Sequence, residues 1–287
     1  MLYYYAYSGH KIGLDRVKRA AALLKQFQAQ GIETRLLVND FRAGLAAKEF
    51  GVRDSVTIET IQDIDAMAQI GDSIIIDSPE DDHGRLQKYC VEYKAVFRFA
   101  QNKEDESCYG ETMLKMNCED DACLPSVIID DIYFEPAPKE ERTLFFLGDA
   151  DYDKVLLSQK AFFADNPMEL LLGHYFFVKY EDELSRMFTK LHEAEEYTDL
   201  IRSSSHIVTA SAQTALEAKA SGADVVFIRL DTSDPELSEY LTLKNISIID
   251  GFDIQAYQKI QEANTQKADL PQNGSAIAKK IINTISF

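Results

Sequence analysis

The sequence predicts an α/β protein built from two doubly wound parallel sheets that face each other across a cleft. Three observations carry this expectation. Apolar runs of strand length alternate with amphipathic runs of helix length through both halves, the grammar of βαβ units. One segment, Glu135-Pro136-Ala137-Pro138-Lys139-Glu140-Glu141, breaks the pattern with two prolines among charges, and the pattern then restarts. With 287 residues, 46% of them hydrophobic, the chain can fill two cores of ordinary size. The expected domains are 1–137 and 143–287.

Leu2–Tyr7 is the opening strand. Alternation puts Tyr4 on one face and Tyr3 and Tyr5 on the other. Gly13 to Gln30 follows as a helix, with Leu14, Val17, Ala21, Leu24 and Phe27 at helical period and Gly31 as its stop. Strand Thr34–Val38, helix Arg42–Glu49, strand Val56–Ile58 and a helical stretch Ile61–Ile70 closed by Gly71 come next. Ser73–Asp77 (SIIID) is a continuous apolar run ending in Asp. Such a run reads as a buried parallel strand whose C-terminal end meets a site. Arg85–Glu92 is helical and Ala95–Phe99 a strand. Gln101 to Leu124 is polar, acidic and weakly periodic, a long loop or an irregular helical insert. Ser126–Asp130 closes this half as a strand.

The second half opens with strand Thr143–Leu147, a turn at Gly148–Asp151 and helix Lys154–Ala164. Glu169–Leu172 and Tyr175–Lys179 supply strand material, and Glu195–Ser203 is a helix. His206 to Leu230 is the most informative stretch. It reads as strand His206–Thr209, a small-residue turn Ala210–Ala212, a helix ending near Gly222, and strand Val225–Arg229. A helix entered this way presents unpaired N–H groups and the positive end of its dipole, both of which favour an anion. Ser211 is its N-cap, and Thr214 and Glu217 share a face by their three-residue spacing. Taken locally, the stretch reads first as an ordinary βαβ unit, since most such units hold no phosphate. Helix Leu237–Leu243, strand Ile246–Ile249 and helices Ile254–Glu262 and Ala276–Ile285 complete the chain.

The net charge of −18 argues against nucleic acid, whose binding rests on Lys and Arg neutralising phosphates, and more weakly against anionic membrane surfaces. It leaves room for a small phosphorylated ligand, which needs only a few local donors. No run reaches transmembrane length and no secretory signal is visible, so no membrane insertion and a cytoplasmic location are expected. Cys90, Cys108, Cys118 and Cys123 form no CxxC and have no histidine beside them, which predicts free thiols and no zinc. Walker, G-x-S-x-G and HExxH motifs are missing from the sequence, so neither cofactor nor metal is expected. Asp81-Asp82-His83 with Asp77 forms an acidic group at a sheet edge. It suits a divalent cation, and equally a helix N-terminus rich in carboxylates. Asp130-Asp131 and Glu119-Asp120-Asp121 have the same plain explanation.

Several stretches resemble one known family in order and spacing. Ile12-Gly13-Leu14-Asp15-Arg16-Val17-Lys18-Arg19 lies where that family has a glycine-rich loop, a histidine and a basic helix start. Ser73–Asp77 is similar to its apolar strand ending in Asp, Leu144–Asp151 to the strand and turn opening its nucleotide domain, and Val208 to Ile228 to its S-A-S turn followed by Glu-Ala and a strand. Together they resemble the GT-B superfamily, with two Rossmann-like domains around a central cleft. Within it, the likeness is to the UDP-sugar hydrolase of pseudaminic acid biosynthesis and its MurG-type relatives. The resemblance implies a UDP-sugar or related partner in bacterial surface or flagellar glycan synthesis.

The resemblance also implies roles. Gly148, Ser211, Thr214 and Glu217 fall on the nucleotide side, Glu217 accepting from ribose hydroxyls; Gly13 and Asp77 fall on the sugar side. The departures lie at the chemistry. Asp15 stands for the second glycine and Arg16 for the catalytic histidine, and arginine holds its proton near neutral pH. Arg16 is then left to stabilise a leaving diphosphate, with His10 or Asp15 handling the proton. Gly148-Asp149-Ala150-Asp151 brings two carboxylates where the family has paired glycines, and Leu216 stands where the hydrolases often have asparagine. These departures favour a second expectation, a catalytically degenerate scaffold that binds a sugar or a protein partner.

Overall fold

The computed structural model describes residues 1–118, 122–176, 178–230, 235–261 and 270–286; the acidic run Glu119–Asp121 lies outside them. Contacts divide the chain into two compact units: Met1–Gly9, Arg16–Asp130 and Gln272–Phe287 form one, His10–Asp15 and Asp131–Pro271 the other. Both are α/β units with parallel sheets.

The first unit contains β1 (Leu2–Ala6), α1 (Asp15–Ala29) apart from its first residue, β2 (Thr34–Val38), α2 (Phe41–Glu49), β3 (Ser55–Thr57), α3 (Ile64–Met67), β4 (Ser73–Asp77), α4 (Arg85–Glu92), β5 (Ala95–Phe99), β6 (Thr112–Lys115) and β7 (Cys123–Pro125). Its sheet runs β3-β2-β1-β4-β5-β6-β7, and every described pairing is parallel. All five residues of both β1 and β4 are buried, as strands covered on two faces must be. Tyr3 and Tyr5 pack with Ile74, Ile76 and Tyr89 on one face, while Tyr4 turns to Phe99 on the other, as alternation predicts. Helix α1 buries Val17, Ala21, Leu24 and Phe27, the stripe its period announced. Strand order reverses between β1 and β4, and such a reversal opens a crevice at the strands' C-terminal ends.

Residues 101–130 depart from the sequence expectation. The polar stretch supplies two short strands, β6 and β7, whereas the apolar run Ser126–Asp130 is no strand. Val127, Ile128 and Ile129 are buried all the same. Apolarity reported their burial, and burial does not require a ladder. Cys118 and Cys123 form a disulfide with Cα atoms 5.8 Å apart, correcting the expected free thiols; Cys90 and Cys108 are free. Spacing alone did not reveal that pairing.

Glu111 organises the loop after β5. Its carboxylate accepts N–H bonds from Cys108 (3.0 Å) and Tyr109 (2.9 Å) and a guanidinium bond from Arg98 (3.1 Å). Burial pushes its pKa up, but the backbone donors of Tyr109 and Cys108 and the Arg98 guanidinium outweigh burial and hold it below its ordinary 4.5. The stabilisation is therefore present above the ordinary carboxylate range and is lost as pH falls through the lowered folded value. Urea melts between about pH 5 and pH 3 should show a shallower acid slope for Glu111→Gln than for the native chain. Parallel slopes would refute this.

The second unit contains β8 (Glu140–Phe146), α5 (Val155–Ser158), α6 (Lys160–Asp165), β9 (Glu169–Leu171), α7 (Val178–Leu184), β10 (Lys190–His192), α8 (Tyr197–Ser203), β11 (Ser204–Thr209), α9 (Ala212–Ala220), β12 (Asp224–Arg229), α10 (Pro235–Leu243), β13 (Ser247–Asp250) and α11 (Ile254–Gln261). Its sheet is β10-β9-β8-β11-β12-β13, parallel throughout the described pairings, with the reversal between β8 and β11. Phe145, Phe162, Phe163 and Phe188 form the centre of its core. Among its described residues, Tyr175–Lys179 holds no strand: Tyr175 lies in a turn and α7 begins at Val178. Aromatic composition suited a strand there, but the edge is taken instead by three-residue β10, too short to show periodicity. The expected helix Lys154–Ala164 is broken at Gln159 into α5 and α6.

The last helix, α12 (Gly274–Ser286), follows the second unit in sequence yet groups with the first. It buries Ile277, Ala278 and Ile281. Among the described residues, no helix is long and apolar enough to cross a membrane.

Candidate functional site

In the first unit, the crevice at the ends of β1 and β4 is organised by a charged cluster. Asp77 is fully buried at the last position of β4. Arg19 reaches it with two guanidinium bonds, Nε to Oδ2 and Nη2 to Oδ1, each 2.5 Å. The same guanidinium lies 4.5 Å over the Phe99 ring. Arg16, one turn earlier on α1, places Nε 3.4 Å from Asp77 and donates to Gln101 at 3.1 Å. The Tyr4 hydroxyl completes the set at 3.1 Å, its pKa driven well above 10 by burial first and the Asp77 charge second. Asp77 is thus engaged by the chain's own cations at the place the resemblance gives to a sugar.

The neighbouring acidic residues serve local chain geometry. Asp81 accepts the His83 N–H (2.8 Å) and Asp82 accepts the Leu86 N–H (3.2 Å) at the start of α4. Among the described residues, no group of three His, Cys, Asp or Glu side chains is placed to hold a metal ion.

In the second unit, β11 leads through Ala210 into α9, and Ser211 caps that helix by accepting the Thr214 N–H at 3.1 Å. The segment His10–Asp15, which groups with this unit, delivers a carboxylate to the same helix end. Asp15 Oδ1 accepts the Ser211 hydroxyl at 2.7 Å and Oδ2 accepts the Gln213 N–H at 3.3 Å. A carboxylate of the chain therefore occupies the place where helix dipole and open N–H groups attract an anion.

Three hydroxyls connect Asp15 to a second carboxylate. Ser211 Oγ lies 2.8 Å from Thr214 Oγ1, which lies 2.7 Å from the Tyr197 hydroxyl; that hydroxyl donates to Glu217 at 2.6 Å. Ser211 donates to Asp15, Tyr197 donates to Glu217, and the Thr214 proton goes to one neighbour, so each hydroxyl spends its single proton. Gln213 adds a 2.9 Å bond to Glu217. Glu217 is only 2% exposed. Burial, then the Glu217 charge, drives the Tyr197 pKa well above 10.

On the other side of the same segment, the Leu14 N–H donates to Asp149 Oδ2 at 3.3 Å. Asp149 Oδ1 lies 2.8 Å from His174 Nδ1. The Tyr175 N–H donates to the Asp149 carbonyl at 2.9 Å, tying the loop after β8 to the loop after β9. Gly173 permits this approach, since a Cβ there would lie 2.4 Å from the Asp149 carbonyl carbon. The turn that threatened repulsion is thus internally satisfied. Asp149 pairs with His174, and Asp151 accepts the Val155 N–H (2.7 Å) and the Tyr180 hydroxyl.

The structure brings Asp15, Ser211, Thr214 and Glu217 together, and sets Gly13 and Gly148 beside Asp149, a Cβ on Gly13 falling 3.8 Å from that side chain. Arg16 and Asp77 meet in the first unit. His10 joins neither group: it is exposed, its ring 5.3 Å from that of Tyr152. Sequence reasoning gave no role to Arg19, His174, Gln213 and Tyr197, and read Asp149 only as a carboxylate that would repel a diphosphate. Arg19 was legible, three residues from Arg16 on one helix face. The Asp149–His174 pair had no sequence signal, because adjacency of β8 and β9 creates it.

No known family model matches this chain, and no curated protein matches its sequence. Solved structures do match over its whole length. MurG from Acinetobacter baumannii aligns with 99% of this chain and 98% of its own, at TM-score 0.57 and 12% identity. The fold is GT-B. The UDP-GlcNAc 2-epimerase of Methanocaldococcus jannaschii, solved with UDP-GlcNAc and UDP, aligns over 99% and 100% at TM-score 0.59 and 11% identity. The spinosyn rhamnosyltransferase SpnG, solved with spinosyn aglycone, aligns over 99% and 96% at TM-score 0.58 and 11% identity. Identities this low establish the GT-B fold and carry no activity with them.

Proposed function

We propose that this GT-B chain binds a sugar nucleotide at the N-terminus of α9, where Asp15 holds the phosphate position in the unliganded state. The observation that supports the reading is the pair of bonds from Ser211 and Gln213 to the Asp15 carboxylate. The helix end accepts an anion, and the anion in place is one the chain can withdraw. UDP is the expected nucleotide, by the resemblance and by the epimerase's complex with UDP-GlcNAc and UDP. Hydrolysis or transfer at the sugar–phosphate bond, in bacterial surface or flagellar glycan synthesis, is the finer form of the proposal.

Calorimetric titration with UDP, with CMP and GDP as controls, tests it on the native chain and on Asp15→Ala. Removing a competing carboxylate that takes charged hydrogen bonds should tighten UDP binding by about tenfold or more. A folded Asp15→Ala protein that binds UDP no better than CMP or GDP would sink the reading.

A second reading is favoured by Glu217 and Arg16. Glu217 is committed to Tyr197 and Gln213 beneath the surface, and Arg16 stands in the histidine's place beside Asp77. A scaffold without turnover, binding a sugar or protein partner, accounts for both. Loss of all nucleotide binding in both proteins would leave it as the surviving reading.

A further inference from the structure

We infer that the first unit carries a binding site for a protonated amine, in the cavity where the chain leaves β4 and β5. The inference does not depend on the nucleotide reading. Every residue lining the cavity belongs to the first unit, whereas the nucleotide is assigned to α9 of the second.

The cavity has a volume of about 600 Å³, within the range that takes a small organic molecule. Buried Ile61, Ile76 and Leu86 give it an apolar floor. Tyr109, half-exposed, adds an aromatic ring, whose face attracts a cation. A merely solvated acidic surface needs neither a hollow nor an apolar floor.

Charge sets the class of ligand. Glu80, Asp82, Glu104, Asp105 and Glu106 line the cavity, and Arg98 is the one cation among the lining residues. Arg98 is already spent. Its Nη2 donates to buried Glu111 at 3.1 Å and to the Glu106 carbonyl at 2.8 Å, and its Nη1 lies 3.7 Å from Asp105. The hollow is therefore negative, and low-dielectric walls strengthen the field inside it.

Three of the carboxylates are held in place by one oxygen each. Glu80 Oε2 accepts the Tyr5 hydroxyl (2.5 Å) and the Ser78 hydroxyl (3.0 Å). Asp82 Oδ1 accepts the Leu86 N–H (3.2 Å), and Asp105 Oδ2 accepts the Gln101 N–H (2.7 Å). Among the described residues, no donor of the chain meets the second oxygen of any of the three. A metal ion suits the cavity poorly, since no three such ligands converge among the described residues. An ammonium group instead donates to separate oxygens, and its carbon frame covers the apolar floor.

Cys108, a free and exposed thiol in the lining, reports on the site. Site-resolved mass spectrometry of the intact protein follows its modification by a trimethylammonium and by a sulfonate methanethiosulfonate of equal reach. The ratio of the two rates cancels the thiol's own ionisation. It should favour the cationic reagent about tenfold more than it does for mercaptoethanol. Spermidine or glucosamine should protect Cys108, while uncharged N-acetylglucosamine and Mg²⁺ should not. Which amine protects distinguishes a polyamine from an amino sugar. Glu104→Gln combined with Glu106→Gln, both exposed, should weaken that protection by about fivefold without disturbing the fold. Glu80→Gln should weaken it as well. A reagent preference equal to that of mercaptoethanol would overturn the inference. So would no protection by either amine, protection by Mg²⁺ as strong as by spermidine, or protection unchanged in the folded variants.

Discussion

Asp77→Ala is expected to lower the unfolding free energy by about 3–5 kcal/mol, the usual consequence of removing one partner from a buried ion pair. Asp77 is fully buried, and two arginines and a tyrosine hydroxyl converge on it. Its removal leaves the Arg19 guanidinium, which is largely covered, without its bidentate partner beneath α1. Dispersion over Phe99 remains but does not replace charge-assisted bonds. Urea denaturation gives the number directly. Combining Asp77→Ala with Arg19→Met should recover a substantial part of the loss, because the stranded charge goes too. A single-mutant loss under about 1 kcal/mol would show that solvent already satisfies the arginines.

Gly173→Ala is the second large effect, about 1–3 kcal/mol by overpacking. The added Cβ would meet three backbone atoms of Asp149 within 2.5 Å, and backbone cannot rotate aside. The loops after β8 and β9 must part, stretching the Tyr175–Asp149 bond and the Asp149–His174 pair. Gly44→Ala is the control. It lies inside α2, where a Cβ meets Ser55 Oγ at 3.5 Å, an ordinary contact. There alanine should stabilise by roughly 0.5–1 kcal/mol through helix propensity. Thermal melts that rank the two variants in the opposite order would refute both expectations.

Much of the fold was written in local pattern. Ser73–Asp77, Thr34–Val38, Ala95–Phe99 and Arg85–Glu92 have the bounds that apolar runs and helical period predicted. Ser211 caps α9 as its residue type required. The failures share a cause. β6, β7 and β10 are three or four residues long, below the window in which period can be recognised. Val127, Ile128, Ile129 and Tyr175 are apolar because they are packed, and packing does not specify a ladder.

The candidate site divides the same way. Asp15, Ser211, Thr214 and Glu217 were marked by motif and helix spacing, and the structure gathers them. Their roles differ from a list of ligand contacts: Asp15 caps the helix end, and Glu217 is held from below by Tyr197. Sequence by itself determined the alternation of strands and helices, the buried central strands and the Ser211-capped start of α9. Tertiary structure alone decided which charges meet. Asp15 and Ser211 are 196 residues apart, Arg19 and Asp77 are 58 apart, and Asp149 and His174 are 25 apart. Periodicity is a property of neighbouring residues on one element. Pairings such as Asp149–His174 arise where loops from different parallel strands end side by side, and only the order of strands in the sheet brings them there.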